Sequence, residues 1–233
     1  MSTAPGSVIT CATADEAAAV AAGLLADALT AAVDLRGRAS LAVSGGRTPA
    51  PMLRQLAGLP VPFDVVELFQ VDERQAAAGS ADRNAASLSP LLEAIPETQA
   101  HLMPIDADLD ASAAAYAATL RRVVGDPVIL DAVHLGLGDD GHTASLVPGD
   151  PARMRRDVPV TATGEYRGHR RVTLTAPVLA AARTCVILAT GADKSRAVAA
   201  LLTAAPESVA ATVIGPRSTL VVDRAALSSA APG

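Results

Sequence analysis

Aromatic side chains are scarce in this sequence. There is no tryptophan, and the 233 residues include two tyrosines and two phenylalanines. Half of the residues are nevertheless hydrophobic, with alanine well represented. We therefore expect an aliphatic core. Stacking on bases or sugar rings is not expected as a main mode of recognition, because that mode depends on aromatic rings.

An excess of positive charge is also missing. The formal net charge at pH 7 is -5 and the pI is about 5.3. Proteins that bind nucleic acid through its phosphates usually have a basic balance or a basic patch, so we expect no nucleic-acid partner. Of the nineteen basic residues, only Lys194 is a lysine. Either Lys194 has a specific role, or a lysine occurs there by chance in a sequence whose composition favours arginine.

Cysteine is limited to Cys11 and Cys185, without C-x-x-C spacing or a histidine cluster. Two isolated cysteines of this kind indicate buried thiols rather than a disulfide or a zinc site. We expect no metal and no cofactor. The N-terminus lacks a basic segment followed by an apolar one, and Asp27 interrupts the alanine-rich stretch 17–33. These features predict a cytoplasmic protein without a membrane partner; they leave the oligomeric state open.

Apolar strand patterns alternate with helical patterns along the chain. Thr13 and Glu16 form a capping box before a helix that reaches about Leu35, and Thr48 with Pro49 is interpreted as the N-cap and first residue of another helix. Continuous apolar strands separated by helices indicate a mostly parallel sheet that is covered on both faces. The predicted fold class is therefore α/β, doubly wound, with helices on both faces, as a single domain over 1–233. Further strands are predicted at 8–13, 39–45, 63–73, 100–105, 131–138, 170–176, 184–191 and 218–227, further helices at 84–95, 110–124, 177–183 and 192–204, and an irregular segment at 150–170.

Ligands of such sheets bind beyond the carboxyl ends of the strands, so chemistry is expected in the loops that follow them. The loop SGGRTP (44–49) brings Ser44, Gly45 and Gly46 out of a strand and ends near Thr48. Small residues let a ligand approach the backbone, and free N–H groups at a helix start favour an anion. The loop is not a Walker A motif, because G-K-[ST] is missing. Taken alone, it is equally compatible with a plain strand-to-helix turn.

Two further loops carry charge at the ends of apolar strands. VDER (71–74) presents Asp72 and Arg74, and an arginine can bind phosphate through two hydrogen bonds; a surface ion pair is the simpler interpretation of this motif alone. GADK (191–194) places Lys194 in the first turn of a helix. The helix dipole disfavours a cation there, and a bound anion would offset that effect. Lys194 is therefore a candidate phosphate ligand.

The stretch GLGDDGHTAS (136–145) contains G-x-G-x-x-G, which can hold a dinucleotide. That motif requires a long helix directly after the glycines and an acidic residue about 20 positions later at a strand end. Here Pro148 and Gly149 follow too soon, and Asp139 would repel a pyrophosphate. Acid/base chemistry fits better, because histidine is the side chain suited to proton transfer at neutral pH, and Asp140 could orient His142.

Taken together, these motifs resemble the 6-phosphogluconolactonase family over nearly the whole chain. LAVSGGRTP, VDER, HLGLGDDGHTASLVPG, RVTLT and GADKSRAV follow in the order of that family, and Gly-His-Thr-Ala-Ser-Leu is its hallmark. The resemblance implies a doubly wound α/β fold and a phosphorylated sugar lactone as the small-molecule partner. It implies His142 as catalytic base with Asp140 beside it, and substrate contacts from Ser44, Gly45, Gly46, Thr48, Asp72, Arg74, Arg171 and Lys194.

The implied reaction is hydrolysis of 6-phospho-D-glucono-1,5-lactone by water that His142 activates, without a metal or a covalent intermediate. The chain departs from the family in the loop 75–84, where Arg83 stands in place of a serine, and we expect this loop to change the shape of the site rim. An amino-sugar-phosphate deaminase or isomerase is the nearest rival, although Thr-Ala-Ser-Leu-Val-Pro replaces the Asn-Glu segment usual there. A sugar-phosphate sensor is the rival from another class. Such a protein would need a DNA-binding module, and the chain reaches its first predicted strand within about eight residues, too few for a helix-turn-helix ahead of it.

Overall fold

Seven strands form one parallel sheet in the structure, a computed structural model that describes residues 3–228. All six neighbouring pairs run parallel, which confirms the predicted fold class. The ends of the predicted domain, residues 1–2 and 229–233, lie outside the described residues. In spatial order the strands are β1 (Ser7–Cys11), β10 (Ser218–Asp223), β9 (Thr184–Ala189), β6 (Ala132–Gly136), β2 (Ala39–Val43), β3 (Val66–Gln70) and β5 (Ala100–His101).

The first helix, α1 (Ala14–Arg36), has the ends that its sequence predicts. The Thr13 hydroxyl accepts a hydrogen bond from the Glu16 amide at 3.1 Å, and the Glu16 carboxylate accepts one from the Ala12 amide at 2.7 Å. Gly37 ends the helix in the left-handed conformation, with φ of 73°. By length and composition alone α1 could cross a membrane, but here one face of it packs against the sheet, in a core with Leu25 and Leu29 fully buried.

Two hydrophobic cores lie on opposite faces of the sheet. Successive side chains of a strand point to opposite faces, and in β2 Leu41 and Val43 belong to one core while Ala42 belongs to the other. Helix α1 covers the first face together with α2 (Ala50–Ala57) and α3 (Ser89–Ala94). The second face is covered by α4 (Leu109–Val123), α5 (Ala176–Ala181), α6 (Ser195–Leu202), α7 (Val209–Val213) and α8 (Arg224–Leu227).

A second, antiparallel sheet contradicts two sequence predictions. It consists of β4 (Asp72–Arg74), β8 (Arg171–Leu174) and β7 (Val160–Ala162), in that order. The predicted strand 63–73 is therefore two strands in different sheets, preceded by a 3-10 turn at Phe63–Val65. The segment 150–170, predicted to be irregular, contains β7. Its three residues find their hydrogen-bond partners in β8, and a run this short has no clear periodicity.

The start of α2 also differs from the prediction. Thr48 is not the N-cap: α2 begins at Ala50, Pro49 precedes it, and no side chain caps it. Because Pro49 has the helical φ that its ring imposes, the turn forms without a capping hydroxyl. The remaining differences concern lengths and two short helices. The predicted strand 100–105 has two residues, and the predicted helix 84–95 begins as a 3-10 turn at Asn84–Leu88. The predicted strand 218–227 ends at Asp223, where the Asp223 side chain caps the helix α8, and neither α8 nor α7 was predicted.

Candidate active site

The carboxyl ends of β2 and β6 lie side by side where the strand order reverses. From β2 the chain continues to β3 on one side, and β6 lies on the other side. Doubly wound sheets bind ligands in the crevice at such a switch point. A cavity of about 220 Å³ lies at this place, lined by the loops after β2 and β6, by β4 and β8, and by the residue that precedes α6.

This cavity brings together nearly all of the residues that the sequence singled out. One of them, Asp140, lies behind the cavity wall and contacts it through His142. A larger cavity of about 790 Å³ borders the same loop from the side of α6 and α7. We place the candidate site in the smaller one, because its lining includes Ser44, Gly45, Gly46, Thr48, Asp72, Arg74, His142, Arg171 and Lys194.

The loop after β2 needs glycine at two positions. A Cβ on Gly45 would lie 2.7 Å from the Asn84 carbonyl oxygen, and Gly46 has φ of 116°. The Gly46 amide donates to the Ser87 hydroxyl at 2.9 Å. Among the described residues, the backbone N–H groups of Arg47 and Thr48 have no hydrogen-bond acceptor. The loop therefore offers an anion two backbone donors without needing the helix cap that was predicted.

Three cationic side chains border the cavity. Arg74 and Arg171 face each other across the β4–β8 pair, and the Nε of each is buried without a hydrogen-bond partner among the described residues. The sequence predicted Lys194 in the first turn of a helix; in the structure it ends a 3-10 turn, Ala192–Lys194, and comes directly before α6. Its side chain is 17% exposed. Burial lowers the pKa of Arg171, although Asp72 opposes this effect. Buried donors without partners are costly, so this cluster is suited to an anionic ligand.

Asp72 is a buried carboxyl group at the edge of the same cavity. Ser145 donates to its Oδ2 at 2.5 Å, and Arg171 Nη1 lies 3.9 Å from the same oxygen. Burial raises the pKa of Asp72, and this effect outweighs the Ser145 hydrogen bond and the charge of Arg171. Asp72, in β4, thus links the loop after β6 to Arg171 in β8. The hallmark serine of the GHTAS segment has a definite structural partner.

Asp140 and His142 form a close pair in the loop after β6. Asp140 Oδ1 lies 2.5 Å from His142 Nδ1 and accepts the His142 amide at 3.2 Å. Burial opposes ionisation of Asp140, but its hydrogen bonds with His142 and Tyr166 outweigh that effect and lower its pKa. A carboxylate at Nδ1 assigns the proton to that nitrogen and leaves Nε2 as the basic one.

Two glycines allow this pair to form. A Cβ on Gly138 would lie 2.0 Å from His142 Nδ1 and 2.7 Å from Asp140 Oδ1. Gly141, with φ of 82°, turns the chain between Asp140 and His142. After this turn the described chain has no helix before the 3-10 turn Pro151–Met154. The helix that a dinucleotide motif requires is therefore missing at Gly136, Gly138 and Gly141.

Glu73 is a site-forming residue that the sequence reasoning missed. Its carboxylate is fully buried and accepts hydrogen bonds from the amides of Arg74, Asn84 and Ala85 and from the Gln70 side chain. Arg83 Nε lies 3.3 Å from the same carboxylate. The unusual arginine of the loop 75–84 therefore points to Glu73 and is not part of the cavity lining.

Tyr166 and Arg167 were also missed. The Tyr166 hydroxyl donates to Asp140 Oδ2 at 2.8 Å, and Arg167 Nη2 donates to Asp139 Oδ1 at 2.6 Å. Arg167 lines the cavity as well. Both belong to the segment 150–170, which has no helix or strand periodicity to reveal them. Their proximity to Asp140 depends on the pairing of β7 with β8.

Comparison with known proteins agrees with this geometry. The family model of glucosamine-6-phosphate isomerases/6-phosphogluconolactonase matches residues 12–222. The chain belongs to this family. A protein of Synechocystis sp. named 6-phosphogluconolactonase is 37% identical over 203 residues, which are 83% of this chain and 84% of that protein. One of Mycobacterium tuberculosis with the same name is 35% identical over 224 residues, 88% of this chain and 91% of that protein.

A solved structure extends the similarity to the whole fold. The 6-phosphogluconolactonase from Trypanosoma cruzi superposes with a TM-score of 0.85 at 26% identity, and the match covers 97% of each chain. The sequence resemblance to this family is confirmed by these comparisons. The roles of the individual site residues stay predictions.

Proposed function

We propose that this protein hydrolyses 6-phospho-D-glucono-1,5-lactone to 6-phospho-D-gluconate. The observation that carries the proposal is the pair formed by Asp140 and His142, whose Oδ1 and Nδ1 atoms lie 2.5 Å apart. His142 lines a cavity that is also lined by Arg74, Arg171 and Lys194. A base next to a cluster of cations suits a substrate with an ester at one end and a phosphate at the other. The name 6-phosphogluconolactonase, which relatives at 33–37% identity carry, supports the same substrate.

His142 acts as the general base in this proposal. Its Nε2 takes a proton from water as the water oxygen attacks the lactone carbonyl carbon, which gives a tetrahedral oxyanion. The oxyanion then collapses and the bond between the carbonyl carbon and the ring oxygen breaks. The protonated Nε2 returns its proton to the leaving ring oxygen. Asp140 accepts the Nδ1 proton as a hydrogen bond and stabilises the imidazolium between the two steps.

The cations hold the phosphate in this proposal. A phosphate dianion would receive hydrogen bonds from Arg74, Arg171 and Lys194 and from the free amides of the loop after β2, all of which border one cavity. Fixing the phosphate places the lactone carbonyl near His142, and positioning of this kind can contribute several kcal/mol, about 7 or more in favourable cases, toward the barrier. We further propose that the reaction needs no metal and takes place in the cytoplasm.

The decisive experiment measures 6-phosphogluconate formation from freshly prepared lactone, with the spontaneous hydrolysis subtracted. The wild-type protein should be active in the presence of EDTA. His142→Ala should lower kcat by about 100-fold or more, because general base catalysis typically contributes 10²–10⁴-fold, and its melting temperature should stay close to wild type. A His142→Ala rate near that of the wild type would refute the assignment of the base, and loss of activity with EDTA would refute metal independence.

The family description also includes glucosamine-6-phosphate isomerases, so the same protein should be tested on glucosamine 6-phosphate. Ammonia release with that substrate and no lactone turnover would replace the proposal by a deaminase. Binding of 6-phosphogluconate without turnover of either substrate would indicate a sugar-phosphate-binding protein.

A further inference from the structure

The side chain of Tyr166 lies at the end of a tight hairpin that joins β7 to β8. Tyr166 and His169 pair through two backbone hydrogen bonds, of 3.0 and 3.3 Å. Between them, Arg167 has φ of 51° and Gly168 has φ of 80°. Two consecutive positive φ values are typical of the type I′ turn, which usually carries asparagine or glycine first. Arginine in this conformation is strained, and strained residues concentrate at functional sites.

The Tyr166 hydroxyl completes the hydrogen bonding of the Asp140 carboxylate. It donates to Oδ2 at 2.8 Å, while His142 Nδ1 binds Oδ1 at 2.5 Å. The carboxylate is thus held at both oxygens and cannot rotate without losing one contact. Burial and the neighbouring Asp140 raise the pKa of Tyr166 to about 12, so its hydroxyl remains a donor at neutral pH.

The Tyr166 ring contacts the other groups of the site. The Tyr166 and His142 rings meet edge to face, with centroids 5.3 Å apart and ring planes at 70°. The guanidinium carbon of Arg171 lies 5.4 Å from the centre of the same ring, and that of Arg167 lies 5.1 Å from it. Both arginines line the cavity, and a cation within about 6 Å of an aromatic ring is attracted to its face.

We propose that Tyr166 is a positioning residue with two separable parts: its hydroxyl aligns Asp140 and His142 for proton transfer, and its ring holds Arg171 and Arg167 toward the anionic end of the substrate. This inference rests on the proposed function. The two parts predict different kinetic defects, because the hydroxyl acts on the base and the ring acts on the cations.

The test compares Tyr166→Phe with Tyr166→Leu. Phenylalanine keeps the ring and removes only the hydroxyl, so kcat should fall by about tenfold, since small errors in alignment are costly, while KM stays within about twofold. Leucine removes both parts, so KM should also rise by about tenfold, in line with a desolvated cation–π contact. A Tyr166→Phe variant with wild-type kcat, or a Tyr166→Leu variant with wild-type KM, would overturn the corresponding half of the proposal.

A double-mutant cycle tests whether the hydroxyl acts through Asp140. In an Asp140→Asn background, Tyr166→Phe should have almost no further effect on kcat, because coupled residues are non-additive. If the two substitutions together lower kcat by the product of their separate factors, the idea that the hydroxyl acts through Asp140 is overturned. Tyr116→Phe is the matched control, since it removes the hydroxyl of the other tyrosine, which bonds to the backbone of Gln70. It should lower the melting temperature and leave kcat unchanged.

A readout without turnover separates this inference from the proposed function. The ¹⁵N chemical shifts of the His142 ring should move in Tyr166→Phe, because the hydrogen bonding of its carboxylate partner changes. Unmoved shifts would overturn the role of the hydroxyl. Weaker binding of 6-phosphogluconate to Tyr166→Leu than to Tyr166→Phe supports the role of the ring, and equal binding overturns it. Absence of lactone hydrolysis by the wild-type protein would refute the proposed function and leave these two readouts decisive for Tyr166.

Discussion

Replacing Gly138 by alanine should inactivate the protein by displacing its acid/base pair. The added Cβ would lie 2.0 Å from His142 Nδ1, 2.3 Å from Cε1 and 2.7 Å from Asp140 Oδ1, whereas ordinary contacts begin at 3.4 Å. The imidazole would therefore have to move by more than about 1 Å, a displacement that can cost about 100-fold in rate. The backbone of Gly138 is not in the left-handed region, so the methyl group itself, rather than backbone strain, causes the effect.

The assay for this prediction is kcat for lactone hydrolysis, measured together with the melting temperature. Gly23→Ala in α1 is the control, because a Cβ there also meets no heavy atom within 4 Å and Gly23 does not line the cavity; its kcat should stay within about threefold of wild type, as a contact-free methyl displaces nothing. We expect Gly138→Ala to lose about 100-fold or more in kcat and to remain folded. Wild-type kcat in a folded Gly138→Ala protein would refute the placement of His142 and Asp140 at the centre of catalysis.

Three other predictions follow from the same site. Lys194→Ala should raise KM by about 10- to 100-fold, the equivalent of a hydrogen bond to a charged group, and Lys194→Arg should retain most of the affinity; an unchanged KM in Lys194→Ala would remove it from the phosphate site. Because burial raises the pKa of Asp72, the folded state binds that proton more tightly than the unfolded chain, and the free energy of unfolding falls as pH rises from the unfolded pKa through the folded one. Asp72→Asn should therefore melt at a higher temperature than wild type at pH 8 and at a similar temperature near pH 3. A lower melting temperature than wild type at pH 8 would contradict a raised pKa of Asp72. Glu73→Gln leaves Arg83 without its buried carboxylate, so the free energy of unfolding should fall by about 3 kcal/mol and the melting temperature by roughly 10 °C; calorimetry showing no change would contradict the buried pair.

Local signals in the sequence were reliable where neighbouring residues decide the structure. The capping box of Thr13 and Glu16 and the left-handed Gly37 both depend on contacts within one turn, and both were predicted. The loops at 44–49 and 136–145 were located correctly because parallel strands bring their carboxyl ends to one edge of the sheet. Thr48 shows the limit of such signals, since proline at 49 started the helix without a hydroxyl cap.

The sequence by itself therefore determined the α/β class, the loops that line the candidate site and the positions of Asp140, His142 and Lys194 within them. Only the tertiary structure decided which distant groups meet there. Asp72 contacts Ser145, which is 73 positions away, and Asp140 contacts Tyr166 on a hairpin 26 positions further along the chain. Such contacts depend on the pairing of short strands in the second sheet, and a three-residue strand carries too little periodicity to reveal its partner.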